Sequence, residues 1–432
     1  MNTNSKILSK QKRILTFVSV IALVLVSILS GTSTALAESE SLSNDYTSAN
    51  LVKAPILPQT FVTATTDFSF NLFRKSINMD KNSLVSPTSV DMALGMTANG
   101  ANGATLDQFL MLLGQNKLSL KQINYFNFLM SNILKDSSGN CNINLANSIW
   151  YRNNIASSIN RNFLQANADF YKASIYKADF NQQTTLTDIN NWVNYNTNGL
   201  IKKIINELNP DTIMYLINAL SFEADWEKQF SKEATEGYFK LKDGSSVRTP
   251  FLKSEDETYL EGENATGFIK TYKGGKYSFV AMLPNYSTSL QDYINSLDAN
   301  KFKSFIDSRT LEQTAEVSIP GFEYGYDINL VQPLKDLGFV DAFYEDKADF
   351  SKMISTNNAY IGDILHKTFI QFSEVGTKAG AVTVVQVLPT SIPGQPEKKE
   401  VYFNRPFVYA IVESGTNIPI FIGTVMNPTR AN

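Results

Sequence analysis

The sequence predicts an α+β fold with a mostly antiparallel sheet, because two hydrophobic periodicities occupy different halves of the chain. In the first half, apolar residues recur with the spacing of amphipathic helices. In the second half, short alternating or continuous apolar runs dominate, which is typical of strands. Because the helices precede the strands and do not alternate with them, the pattern argues against a doubly wound parallel sheet.

Each element follows from one of these two periodicities. The predicted helices are 61–77, 88–99, 104–113, 120–135, 160–168 and 187–197. The predicted strands are 213–220, 277–282, 315–319, 359–361, 368–372, 401–403, 407–413 and 418–425. No linker or repeat interrupts the chain after residue 60. A body of about 370 residues exceeds the usual size of one core, so we expect two domains or one large sheet-centred domain.

Residues 1–37 are predicted to be a secretory signal peptide. Four basic residues between positions 6 and 13 precede an apolar run over 14–29, and Ala35 and Ala37 form a small-x-small cleavage site. Cleavage predicts a secreted, extracellular protein. An uncleaved signal that anchors the chain in a membrane is the alternative, since the run is only slightly short of a spanning helix.

The residues after the signal divide into a polar leader and a folded body. Residues 38–59 are rich in Ser, Asn, Glu and Thr, so we expect a flexible leader, and 60–432 form the domain. Cleavage removes four of the 38 basic residues and no acidic ones, leaving 34 against 41 and a net charge of −7. An acidic chain without a basic block argues against a nucleic-acid partner.

Histidine and cysteine, two residue types common in catalytic and metal sites, occur once each. His366 is the single histidine, which excludes zinc sites that need two imidazoles. We interpret it as structural, with a general base as the alternative. The single cysteine, Cys141, excludes an intrachain disulfide and a thiolate metal cluster, and is interpreted as a small buried hydrophobe. The sequence therefore predicts no enzymatic activity, no cofactor and no metal.

One short motif of penicillin-recognising enzymes is present without its companions. Ser174 and Lys177 fit Ser-x-x-Lys, but the partner motifs that this chemistry requires, Ser-Asp-Asn and Lys-Thr-Gly, are absent. No Gly-x-Ser-x-Gly elbow, Walker loop or dinucleotide fingerprint occurs. A penicillin-recognising hydrolase is therefore a distant alternative.

The segment 374–391 combines a strand pattern with the surroundings of a loop. Alternate positions from Thr377 are small or apolar: Thr377, Ala379, Ala381, Thr383, Val385 and Val387. This face suits a strand buried in a sheet. The prolines and the charged run at 393–400 that follow are typical of an exposed loop. A strand pattern in the position of a loop predicts a segment with two conformational states.

Seven spaced motifs resemble the serpins over roughly residues 60 to 430. They cover residues 82–89, 189–193, 218–230, 348–351, 366–377, 403–407 and 421–428, in the order found in that family. The resemblance implies the serpin fold, with an exposed reactive-centre loop. It further implies a suicide-substrate inhibitor of serine proteases, which traps the covalent acyl-enzyme when the cleaved loop inserts into the main sheet. A non-inhibitory serpin with a carrier, chaperone or structural role is the alternative.

The resemblance also assigns roles to residues of the loop. Its hinge is implied to comprise Glu374, Gly376, Thr377, Ala379, Gly380, Ala381 and Thr383. The family spacing of sixteen residues from Glu374 implies a reactive bond between Thr390 and Ser391. Because Thr390 is uncharged and of modest size, the implied targets are elastase-like or subtilisin-like proteases.

Two further sites are implied beneath the loop. Ser86, Ser89, Asn218 and His366 correspond to the shutter, a hydrogen-bond cluster where the sheet parts, and Trp226 corresponds to the breach, where insertion begins. The family's usual basic residue after Pro320 is replaced by Gly321. We therefore expect that the usual ion pair to Glu374 is missing. The active state is expected to be a monomer, and latent forms or loop-sheet polymers are the hypothesis that this loss suggests.

Overall fold

The computed structural model describes residues 39–46, 56–135, 141–209, 211–310, 312–355, 359–377 and 397–429. The predicted signal peptide lies outside the described residues. So do the predicted reactive bond at Thr390 and Ser391 and the hinge residues Ala379, Gly380, Ala381 and Thr383.

The helices lie mainly in the first half of the chain, as predicted. In the described residues they are α1 (Gln59–Ser76), α2 (Pro87–Ala98), α3 (Gly103–Gly114), α4 (Leu120–Leu134), α5 (Arg161–Tyr171), α6 (Gln183–Asn196), α7 (Leu290–Ser296), α8 (Ala299–Asp307) and α9 (Val331–Lys335). Residues near their N-termini determine where several of these helices begin. Ser119 and Gln122 form a reciprocal capping box on α4. Ser86 caps α2 ahead of Pro87, whose ring suits the first helical position.

The strands fill the remainder of the domain. They are β1 (Glu40–Ser41), β2 (Ser83–Val85), β3 (Cys141–Arg152), β4 (Ser174–Ala178), β5 (Met214–Asp225), β6 (Thr235–Lys240), β7 (Ser246–Glu261), β8 (Ala265–Thr271), β9 (Tyr277–Pro284), β10 (Gln313–Pro320), β11 (Phe322–Asn329), β12 (Leu365–Phe372), β13 (Gly376–Thr377), β14 (Glu397–Tyr402), β15 (Phe407–Glu413) and β16 (Pro419–Val425).

Two sheets organise these strands. The main sheet has the order β1-β4-β3-β5-β13-β12-β11, and only its β3–β4 pair is parallel. The second sheet has the order β14-β10-β7-β8-β9-β15-β16-β2, with β6 paired to β7 and only β10–β14 parallel. Both sheets are thus mostly antiparallel, which confirms the predicted α+β class.

An aromatic core lies between the sheets. Phe372 of β12 packs on Phe279 of β9 with ring centroids 4.7 Å apart, and it stacks on Phe322 at 4.8 Å. Strands β9, β15 and β16 are buried along their whole length. Continuous burial explains why these segments are predominantly apolar and were predictable as strands.

The predicted elements differ from the observed ones in identifiable ways. The six predicted helices all form, with ends shifted by up to four residues. The predicted strand 359–361 is wrong, because these residues are irregular. Strands β2, β3 and β4 were missed in the helical half, and β6, β7, β8 and β11 were missed in the second half. In β3, asparagines 142, 144 and 147 interrupt the apolar pattern, yet the strand pairs with β5 over eleven residues. His366 lies inside β12, and not before it.

Part of the predicted leader belongs to the main sheet. Glu40 and Ser41 pair antiparallel with Lys177 and Tyr176 at the free edge of β4. The Glu40 carboxylate also forms an ion pair with the Lys177 ammonium. This edge position differs from the expectation of a flexible leader, because composition alone does not reveal a strand of two residues.

The Ser-x-x-Lys motif lies on a strand. Ser174 and Lys177 both belong to β4, where residues three apart point to opposite faces of the sheet. Their side chains therefore cannot act together as a nucleophile and its base. Among the described helices, none is long and apolar enough to cross a membrane.

A buried carboxyl group lies in α2, behind the main sheet. The Asp91 side chain is almost fully buried, and its Oδ1 accepts a 2.8 Å hydrogen bond from Asn127 Nδ2. Its Oδ2 has no hydrogen-bond partner among the described residues. Burial raises the pKa of Asp91 to about 7, and the hydrogen bond from Asn127 only partly offsets this rise.

The raised pKa of Asp91 predicts a pH-dependent stability. The native state keeps the proton up to about pH 7, whereas the unfolded chain loses it near the ordinary carboxyl pKa of 3.8. The native state therefore binds more protons in this window, and its stability decreases as the pH rises from about 4 to about 7. We expect Asp91→Asn to raise the thermal midpoint by a few degrees at pH 8 and by much less at pH 4.

Thermal unfolding of both proteins at one scan rate, at pH 4, 6 and 8, measures this effect. The exposed Asp346→Asn is the matched control, since it removes a carboxylate without relieving burial. An equal shift at all three pH values would show that the ionisation of Asp91 is not the cause.

Candidate functional site

The predicted hinge begins as a short strand within the main sheet. The chain leaves β12 at Phe372, turns through residues 373–375 and returns as β13. The turn is closed by a 3.0 Å hydrogen bond from Ser373 N to the Gly376 carbonyl. Thr377 then lies opposite Phe372 on one side and Ala224 on the other. The hinge is thus inserted between β12 and β5 at one end of both strands.

The hinge joins the two halves of the main sheet. Within the described part of the chain, β5 and β12 share no ladder with each other, and each pairs with β13. On one side lie β1, β4, β3 and β5, and on the other lie β12 and β11. Two residues of the hinge therefore provide the strand pairing that joins these halves within the described residues.

The side chains of β13 explain the residue types found there. A Cβ on Gly376 would lie 2.2 Å from the carbonyl oxygen of Ala224, so the approach to β5 leaves room only for glycine. Thr377 is buried, and its Oγ1 lies 2.6 Å from the hydroxyl of Tyr272. Thr377 therefore faces the interior, as the alternating pattern predicts for that face.

Trp226 and Phe230 donate hydrogen bonds to three consecutive carbonyls of the turn. We call these two residues the hinge clamp. Trp226 Nε1 donates to the Ser373 carbonyl, and Trp226 N donates to that of Val375, both at 2.9 Å. Phe230 N donates to the Glu374 carbonyl at 3.0 Å. The Trp226 ring stacks on Tyr272, with centroids 4.2 Å apart. The predicted breach residue thus contacts the hinge directly.

The side chain of Glu374 takes no part in this clamp. It is exposed, and no ion pair to it occurs among the described residues. Gly321 lies beside the hinge, since a Cβ there would be 3.5 Å from the Phe372 carbonyl oxygen. Gly321 has no side chain to offer Glu374, so the described residues contain no ion pair at this position.

The four residues of the predicted shutter form one hydrogen-bonded cluster. Ser86 N donates to His366 Nε2 at 3.0 Å, and Ser86 Oγ donates to the Ile420 carbonyl of the second sheet at 2.9 Å. Ser89 N donates to Ser86 Oγ at 3.4 Å, and Ser89 Oγ donates to Asn218 Oδ1. The cluster therefore connects β5 and β12 through the first turn of α2.

Further polar residues extend this cluster across the main sheet. Asn218 Nδ2 donates to Asn147 Oδ1 at 2.7 Å, and Asn147 Nδ2 donates to the Tyr171 carbonyl at 2.8 Å. Asn147 was not among the predicted site residues, and neither were Phe230 and Tyr272 at the hinge. No local pattern marks Asn147 or Tyr272, whereas Phe230 ends the motif that contains Trp226.

His366 is neutral in this environment. Burial lowers the pKa of His366 to about 4, because a charged imidazolium would lose its hydration. Its Nε2 accepts the hydrogen bond from Ser86 N, so the proton of the neutral ring is on Nδ1. A histidine held neutral as an acceptor fits a structural role within the cluster. Its contribution to gating of the sheet remains a prediction.

Comparisons with known proteins agree on one family. A family model described as serpin (serine protease inhibitor) matches residues 63–428. Human neuroserpin is 29% identical over 386 residues, which cover 85% of this chain and 92% of neuroserpin.

Solved structures give the same result. The native state of tengpin, a thermophilic serpin, is 41% identical with a TM-score of 0.83, covering 90% of this chain and all of that one. Its latent state is 40% identical with a TM-score of 0.75, covering 87% and 99%. A serpin from a loop C-sheet polymer is 38% identical with a TM-score of 0.76, covering 89% and 100%. The chain therefore belongs to the serpin family, whose members are generally inhibitors of serine proteases.

Proposed function

We propose that this protein is an irreversible suicide-substrate inhibitor of serine proteases, which traps the acyl-enzyme by inserting its cleaved loop into the main sheet. The observation that carries the proposal is the pairing of β13 with both β5 and β12. Because β13 is antiparallel to each neighbour, the chain after Thr377 is directed along the line where these two strands face one another.

The register of β13 indicates how far an inserted strand would extend. Continuing the pairs Thr377–Ala224 and Thr377–Phe372 places Thr383 opposite both Asn218 and His366. The same register places Val387 opposite Met214, the first residue of β5. Ten residues beyond Thr377 would thus pair along β5, and they end before Pro389, which could not donate to a ladder.

The side chains favour such an insertion energetically. Odd-numbered residues share the inward face of Thr377, and between 379 and 387 they are small or apolar. Each new backbone hydrogen bond contributes roughly 1 kcal/mol net. Burial of Val385 and Val387 adds on the order of 2 kcal/mol each. The sum is large compared with the stability of a typical domain, so insertion can drive the distortion of a bound protease.

The proposed bait is the Thr390–Ser391 bond, sixteen residues after Glu374. A β-branched, uncharged Thr390 fits neither an acidic nor a deep aromatic specificity pocket. We therefore propose elastase-like or subtilisin-like targets, encountered after secretion through the signal of residues 1–37. Latent and polymeric structures of similar serpins support a loop with more than one position. The active form is proposed to be a monomer.

A non-inhibitory serpin is the second candidate, because the family includes such members. It would be expected to carry bulky, charged or proline residues on the inward face of its hinge. The inward positions of this hinge are Thr, Ala, Ala and Thr at 377, 379, 381 and 383, which favours the inhibitor.

Incubation with subtilisin or an elastase tests the proposed function. We expect a covalent complex that survives boiling in SDS, together with a released peptide beginning at Ser391. A catalytically inactive Ser→Ala protease is the control, because it can bind but cannot acylate. Complete cleavage of the loop without any complex would contradict the inhibitory function.

Charge on the inward face should convert the inhibitor into a substrate. Thr383→Arg places a guanidinium opposite Asn218 and His366, where a buried unpaired charge costs several kcal/mol. We expect cleavage after Thr390 to persist while the stoichiometry of inhibition rises by about tenfold or more. Gln386→Arg, on the opposite face, is the matched control and should remain inhibitory. Equal stoichiometries for both variants would contradict the proposed register.

A further inference from the structure

A buried ion pair lies directly behind the hinge clamp. Lys270 of β8 is 1% exposed, and its Nζ forms an ion pair with the Glu257 carboxylate of β7. The ammonium also donates to Ser254 Oγ at 3.0 Å, and Ser254 Oγ donates to Glu257. A lysine so deeply buried is uncommon, and nothing in the proposed inhibitory mechanism described above requires it.

The same ammonium lies over the rings of the clamp. Lys270 Nζ is 4.3 Å from the ring centroid of Phe230 and 5.8 Å from that of Trp226. Both distances are within the range of cation–π attraction, which strengthens when the cation is desolvated. The two rings also contact each other at a steep angle, with centroids 5.9 Å apart. Lys270 therefore attracts both rings from one side.

These two residues hold the hinge through their N–H groups. Trp226 supplies its indole and backbone N–H, and Phe230 supplies its backbone N–H, to three successive carbonyls of residues 373–375. The indole N–H moves with the ring of Trp226, and rings that are held in place also restrain the backbone of residues 226–230, which carries the other two donors. An ion pair to the exposed Glu374 does not contribute within the described residues, and Gly321 carries no side chain. The hinge thus depends on the clamp.

We propose that Lys270 is a positioning residue for the hinge: its ammonium, fixed by Glu257 and Ser254, holds the rings of Trp226 and Phe230 in the orientation that retains residues 373–375. The consequence for inhibition rests on the proposed function. The positioning itself is a property of the free protein, and it can be measured without a protease.

A purely structural role for the ion pair leads to a different expectation. Replacing a buried ion pair by uncharged residues of similar volume is often neutral or stabilising for the whole fold. A variant that removes both charges should therefore leave global stability unchanged or higher. If Lys270 positions the clamp, the same variant loosens the hinge locally.

The double variant Lys270→Met with Glu257→Gln tests the proposal by hydrogen–deuterium exchange of the free full chain. We expect amides in peptides covering 226–230 and 373–377 to exchange about tenfold faster, the effect of losing a desolvated cation–π contact. The thermal midpoint should be unchanged or higher. Phe230→Leu, which keeps the ion pair and removes a ring, should accelerate the same peptides and provides a second test if the double variant does not fold.

The control removes a partly exposed ion pair whose lysine makes no cation–π contact among the described residues. Lys367 of β12 and Asp327 of β11 pair at 3.1 Å in the main sheet, and Lys367→Met with Asp327→Asn should leave both peptides unchanged. Unaltered exchange in the folded Lys270 and Phe230 variants would overturn the positioning role. Failure of the wild-type protein to form a protease complex would overturn the inhibitory function instead, so the two results are distinguishable.

Discussion

The pairing of Gly376 and Thr377 with strands on both sides is the constraint on which the rest of this structure depends. Because β5 and β12 share no described ladder, the main sheet is continuous only where these two residues lie. Two contacts hold the hinge in the sheet: Gly376 lies close to the Ala224 carbonyl, and the Thr377 hydroxyl contacts that of Tyr272. If the following residues extend this strand, their pairing register is already set by Gly376 and Thr377.

Neutral hydrogen bonds connect the two strands beyond the hinge. Ser86, Ser89 and Asn218 exchange hydrogen bonds of ordinary polarity, and burial keeps His366 uncharged. Such groups can change hydrogen-bond partners without leaving a buried charge unpaired. When a buried ion pair separates, by contrast, each charge loses its partner, which is strongly destabilising. A cluster of this kind therefore suits the line along which a sheet must part and close again. The charged pair of Lys270 and Glu257 lies away from that line, on β8 and β7 of the second sheet.

Sequence patterns predicted the fold class, the six helices of the first half and the inward position of Thr377, because each depends on local periodicity. The shutter and breach residues were accessible through motif resemblance. The four shutter residues form one cluster in the structure, and Trp226 lies apart from it, against the hinge. Local patterns could not predict β3, whose asparagines are satisfied by distant partners such as Tyr171. They also could not reveal Tyr272 or Lys270. The contacts of these two side chains are with residues distant in sequence, which only the folded chain brings together. Contacts of high sequence separation are the information that a single sequence lacks.

The way this hinge is retained has a consequence for its response to salt. An exposed ion pair at Glu374 would contribute at most about 1 kcal/mol and would weaken as ionic strength increases. The clamp uses backbone carbonyls and the buried indole of Trp226 instead, and salt screens these hydrogen bonds far less. Its supporting cation, Lys270, is also buried and already paired with Glu257. Retention of the hinge in this protein should therefore depend on packing behind the sheet, and not on charge at its surface.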